Sequence, residues 1–162
     1  MTAPIRPEIK TMANLEAAFA GESMAHIKYR YFAKLAREMG AEEPARTFEA
    51  TADQEVMHAF GHLDLLYPKA TMTPAKALQI AIDGETYEYT EMYPTFRKTA
   101  EAEGNAAAVA EMDEQIEESK VHAAQFTATL VKAQKRFAAL AKVEERHASH
   151  YQAQLDKVKA AA

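Results

Sequence analysis

The chain has 162 residues, 48% of them apolar and 27% charged, with a formal net charge of −5. This is the length and make-up of a single globular domain, and the acidic balance gives no reason to expect nucleic acid or an anionic membrane as a partner. Cysteine is absent. Disulfides, zinc ribbons, iron–sulfur clusters and thiol nucleophiles are therefore excluded from these residues, and any metal must be held by carboxylate and imidazole.

Gly and Pro number five and six, and an abundance of Ala, Glu, Lys, Leu and Gln favours helix. The stretch Met1–Thr11 carries charges and two prolines but lacks the apolar core of a signal peptide. No apolar run reaches the roughly 20 residues of a membrane span, so a cytoplasmic protein is expected. A first helix is predicted over Ile9–Met39, where Leu15, Phe19, Ile27, Tyr31 and Leu35 recur at helical spacing and Gly40 follows as a stop. A second starts near Pro44 and runs to about Leu66; Tyr67–Thr73, with Pro68, is a short break. The third runs from Pro74 to Glu103, with Pro94 bending it and Gly104-Asn105 ending it. From Ala106 onward there is neither Gly nor Pro, so this region is one very long helix or two with a polar turn. The expected fold is all-α, a single domain with helical halves at about 9–66 and 74–158.

Each helix offers potential metal ligands: Glu22 on the first, Glu55 and His58 on the second, Glu85 and Glu88 on the third, Glu144 and His147 on the last. Glu55/His58 and Glu144/His147 are ExxH pairs. Side chains at i and i+3 leave a helix on one face about a turn apart, so both can reach one ion. One ExxH on an acidic helical chain is usually a solvated face. Two of them, with single glutamates on the other two helices, match the ligand set of di-iron carboxylate bundles. Bound cations would also explain how so many acids are tolerated in a core.

At these residues the sequence resembles the rubrerythrin family. The resemblance lies in NLEAAFAGES (Asn14–Ser23), YRYF (Tyr29–Phe32), FEATADQEVMHA (Phe48–Ala59), AIDGETYEYTEMYPTF (Ala81–Phe96) and FAALAKVEERHASHY (Phe137–Tyr151). It implies a ferritin-like four-helix bundle holding two iron ions through Glu22, Glu55, His58, Glu85, Glu144 and His147. Glu88 matches an additional glutamate that exchanges with the second-helix histidine as the iron changes oxidation state. Tyr29 and Tyr93 match tyrosines near the site, although a tyrosine on a helix face is more often core. The implied activity is reduction of hydrogen peroxide to water. Manganese or a mixed metal pair is compatible with the same oxygen and nitrogen donors. The competing readings are a ferroxidase or iron-storage protein that uses oxygen, and a metal-free bundle.

The sequence departs from that pattern in three places. First, full-length rubrerythrins carry a rubredoxin module whose iron is held by cysteines. With none here, electrons are expected from an external donor such as a rubredoxin-like protein.

Second, Glu22 to Glu55 is 33 positions but Glu85 to Glu144 is 59. Following the family's spacing from the Gly104 turn without a gap lands on His122, in a segment (Glu118–Phe126) resembling a worn copy of Val143–Tyr151, with Ser119 where Glu144 stands. Glu144/His147 are preferred as ligands because their motif is intact, with Glu118/His122 as the alternative. With a turn at Gly104, Glu144 falls ~38 Å along the helix beyond the level of Glu85's partner. A hairpin near Asp113–Gln115 would remove that offset, and so would handing the last helix to a second subunit.

Third, the break before Pro74 is short. It reaches ~25 Å, whereas parallel second and third helices require about 33 Å. This predicts a homodimer that exchanges halves, helices 1–2 of one chain packing on helices 3–4 of the other. Of the other candidates, His26, His62 and His150 read as supporting or surface residues, the eight methionines as packing, and the tail after Tyr151 as a solvated face.

Overall fold

The computed structural model of the protein describes residues 10–160; the N-terminal stretch read as lacking a signal, and Ile9 at the predicted start of the first helix, lie outside the described residues. Within them the secondary structure is helical and no strand occurs. The elements are α1 (Thr11–Glu38), α2 (Glu42–Leu66), α3 (Pro74–Tyr87), a π-helical segment (Glu88–Met92), α4 (Tyr93–Ala102) and α5 (Ala106–Ala160). The chain forms two compact units, Met1–Met72 and Thr73–Ala162. The boundary falls in the segment between α2 and α3. The fold class is all-α, and each unit is a helical hairpin, α1 against α2 in the first and α3–α4 against α5 in the second.

In the first unit α1 reverses into α2 through Gly40, whose φ of +75° is one that side-chain-bearing residues avoid. Gly40 N–H donates to Arg37 O at 3.0 Å and Ala41 N–H to Ala36 O at 2.8 Å, which satisfies carbonyls left open at the end of α1. The two helices meet on alanines: Ala33, Ala45, Ala52 and Ala59 are buried, Ala45 and Ala52 completely. Small side chains let the backbones approach closely. The ring of Phe48 lies between Tyr29 (5.9 Å) and Phe32 (5.6 Å). Arg37 closes the turn end, donating to both carboxylate oxygens of Glu49 at 2.8 and 2.9 Å and to Glu42 at 3.1 Å.

In the second unit Thr73 caps α3 by accepting from Lys76 N–H at 3.1 Å, and Pro74 takes the first turn, where its missing N–H costs nothing. The bend expected at Pro94 is a π-helical turn just before it. Tyr93 N–H reaches back five residues to Glu88 O. Proline cannot donate to the carbonyl four residues back and its ring crowds that carbonyl, so the preceding turn widens. Gly104 (φ +70°) then reverses the chain, and the Asn105 side chain caps α5 by accepting from Ala108 N–H at 3.1 Å.

α5 is one helix of 55 residues. The hairpin considered near Asp113–Gln115 does not form, because that stretch has no helix breaker and lies inside α5. α5 runs antiparallel to the helix before the turn, with Arg97 donating to Asp113 at 2.5 and 3.3 Å, Ser119 level with Glu88 and His122 level with Glu85. In this register α3 starts level with about residue 133. The last ~27 residues of α5, roughly 40 Å, extend past it. Phe137, Leu140, Tyr151 and Leu155 on this extension are exposed.

Candidate metal centre

Glu22 is on α1, and Glu55 and His58 are on α2. The alanine contact brings these helices close enough for one ligand atom of each residue to lie within 4.8 Å of the others. Among the described residues this is the one group of three or more such donors that converges so tightly. Glu55 and Glu22 are half-buried; His58 is more open and donates from Nδ1 to Glu55 Oε2 at 2.9 Å. His26, one turn after Glu22, is not a ligand candidate: its Nδ1 donates to Ala52 O at 2.7 Å and ties α1 to α2. Tyr29 lies two turns along α1 from Glu22, against Phe48.

In the second unit α3 carries Glu85, the π-helical turn carries Glu88, and α5 faces both with His122 and Ser119. His122 Nδ1 is 3.4 Å from Glu85 Oε2, and that oxygen is buried without a hydrogen bond. Ser119, 3% exposed, donates from Oγ to Glu88 Oε2 at 3.0 Å. Tyr93 is beside these acids. Burial first, and then the charges of Glu88, Glu85 and Glu111, push its phenol above the ordinary tyrosine range.

Glu144 and His147 are not brought to this cluster. They lie 25 residues farther along the continuous α5, 75% and 57% exposed, with His147 Nδ1 3.5 Å from Glu144 itself. The alternative pair is half realised: His122 meets Glu85, but Glu118 is exposed and Ser119 takes the inward position. His62 is half-buried on α2, and His150 is exposed against the ring of Tyr151. The sequence marks Ser119 as the residue that breaks the ExxH before His122 but gives it no role, because serine is no iron ligand; its hydrogen bond to Glu88 is what the structure adds.

The donors in each unit are of a kind that fits a metal ion. All candidates are carboxylate or imidazole, three of them converge, and a buried carboxylate oxygen lacking any hydrogen bond is costly unless a cation or proton meets it.

The rubrerythrin family model matches residues 13–70 and 66–130. The chain belongs to the rubrerythrin family. Its second matched segment takes in Glu85, Glu88, Ser119 and His122 and ends short of Glu144. Nigerythrin of Nitratidesulfovibrio vulgaris (strain Hildenborough) is 42% identical over 111 residues, 61% of this chain and 55% of that protein. Rubrerythrin of Porphyromonas gingivalis is 39% identical over 106 residues, 59% of this chain and 53% of that protein. Rubrerythrin-2 of Clostridium acetobutylicum is 32% identical over 124 residues, covering 69% and 67%. The chain thus spans about half the length of the first two of these relatives. A solved structure of nigerythrin in a mixed-valent state is 35% identical, covering 83% of this chain and 72% of that one, with a TM-score of 0.40. Rubrerythrins are di-iron oxidoreductases of the oxidative-stress response. Among the described residues, no helix is long and apolar enough to cross a membrane.

Proposed function

We propose that this rubrerythrin-family protein is a cytoplasmic non-haem di-iron peroxidase, reducing hydrogen peroxide to water with electrons from an external, rubredoxin-like donor. The convergence of Glu22, Glu55 and His58 on a single point carries the reading. The buried, unpaired oxygen of Glu85 facing His122 supports a second ligand group. Glu22, Glu55, His58, Glu85, Glu88 and His122 would hold the metal pair, His122 taking the place expected for His147. When bound, two irons supply the electrons that peroxide accepts; manganese or a mixed pair would suit the same donors.

The chain's own residues do the rest. Glu88, an anion beside a site whose charge rises on oxidation, favours the oxidised state, and neutral His58 favours the reduced one. Tyr93 keeps its proton at neutral pH and offers it as a hydrogen-bond donor next to Glu88 and Glu85. None of the 162 residues is a cysteine, so a rubredoxin-type iron cannot be held by them.

The two ligand groups are proposed to complete one centre in a half-exchanged homodimer, α1–α2 of one copy against α3–α5 of the other. Within the first unit Met24 (54% exposed), Ile27 (65%), Met57 (65%) and Phe60 (57%) leave large apolar surface uncovered beside the ligands. Apolar residues exposed in this way support the reading that a second copy covers them. The short link at Tyr67–Thr73 favours exchange over closure within one chain.

Rapid anaerobic mixing of the diferrous protein tests the activity. Oxidation by peroxide should outpace oxidation by oxygen. Faster reaction with oxygen, with more than two irons taken up per chain, would mark a ferroxidase instead.

A further inference from the structure

The two ligand groups are unequal. The α1–α2 group has an intact ExxH, Glu55 to His58, and its three donors converge within 4.8 Å. The α3–α5 group has its histidine at the matching place, His122 opposite Glu85 at 3.4 Å. Three residues earlier, on the same face, stands Ser119 instead of glutamate. Glu118 does not replace the missing acid, since it sits on the exposed side of α5. Ser119 is itself buried, and its hydroxyl holds Glu88 by a 3.0 Å hydrogen bond.

From this we infer that the metal pair is built asymmetrically, a tight ion at Glu22–Glu55–His58 and a weaker, exchangeable one at Glu85–His122, with Ser119 as the residue that sets the difference. The inference rests on the metal-centre reading above. Its physical basis is a count of ligands and charge. A glutamate at 119 would give the second ion an anionic oxygen; a serine hydroxyl is neutral and a poor ligand for these hard cations. The hydroxyl also donates to one oxygen of Glu88, which orients this carboxylate toward α5 and uses one of its lone pairs. Affinity at such sites follows the number of charged ligands and the hydrogen bonds that orient them.

Titration of the full-length, metal-free protein with Co(II), followed by calorimetry and by the visible absorption of the bound ion, tests this. The wild-type chain should take up two ions in separate steps, the first about tenfold or more tighter than the second. Glu85→Gln should remove the second step and leave the first. Ser119→Glu should tighten the second step by about tenfold or more and bring the two together, as should Ser119→Asp if the longer side chain prevents folding, which circular dichroism reports. Two ions of equal affinity in the wild type would overturn the inference while leaving the metal centre intact. So would a folded Ser119→Glu whose steps stay as far apart as before. Absence of any Co(II) binding would overturn both.

Discussion

His122 faces Glu85 across the α3–α5 contact, its Nδ1 3.4 Å from a carboxylate oxygen that is buried and makes no hydrogen bond. Such an oxygen is costly to leave unmet, and an imidazole beside it is the arrangement that a divalent cation would complete. The same helix carries His147, whose ExxH is intact, on the same face seven turns farther on. The register set by the Gly104 turn and by the Arg97–Asp113 ion pair gives the place opposite Glu85 to His122.

Tyr93 is expected to report on the ions. Its phenol is raised by burial and by the neighbouring Glu88, Glu85 and Glu111 charges. A raised value favours the protonated form in the fold. That contribution is complete below the ordinary tyrosine value near 10 and is lost as pH rises through the higher folded value. Cations on Glu85 and Glu88 would cancel part of the repulsion. Ultraviolet titration, with Tyr93→Phe subtracted, should show Tyr93 ionising above the ordinary tyrosine value in the metal-free protein and at lower pH once metal is added.

Ala52 tests the packing that brings the first ligand group together. It is fully buried where α1 meets α2, and its carbonyl accepts from His26. Ala52→Leu should force the helices apart and cost about 1–3 kcal/mol by overpacking. The tight metal step should weaken with it. Ala139→Leu, on the exposed α5 extension, should stay within about 0.5 kcal/mol of the wild type. Urea unfolding followed by circular dichroism compares the two.

Exchange of halves makes the centre depend on two chains. We expect a dimer at micromolar concentration by light scattering. A chain carrying Glu22→Gln and Glu55→Gln, unfolded and refolded together with one carrying Glu85→Gln and His122→Ala, should recover peroxide reduction in the mixed dimer, because one of its two centres is then wild type. A monomer holding two irons would contradict the exchange.

Much of this was legible in the sequence because it is local. Helical spacing and the Gly40 and Gly104 stops each depend on residues a few positions apart, and each occurs as read. The third helix was readable as a whole, but its π-helical turn was not: Pro94 announces a bend without saying how the backbone will take it. The last helix defeated the reading for a different reason. Its two histidine-bearing segments are 25 residues apart, and seven turns at 3.6 residues come to about 25, so both present their ligands on one face. Only the antiparallel register chooses between them, and it favours the copy whose motif is broken at Ser119.

Iron bound per chain after anaerobic loading, measured side by side in His122→Ala and His147→Ala, puts the proposed centre to the most direct test. We expect two irons in the wild type and in His147→Ala, and about one in His122→Ala, where a ligand of the second ion is gone. Loss of an iron from His147→Ala, with His122→Ala still holding two, would contradict the centre as proposed.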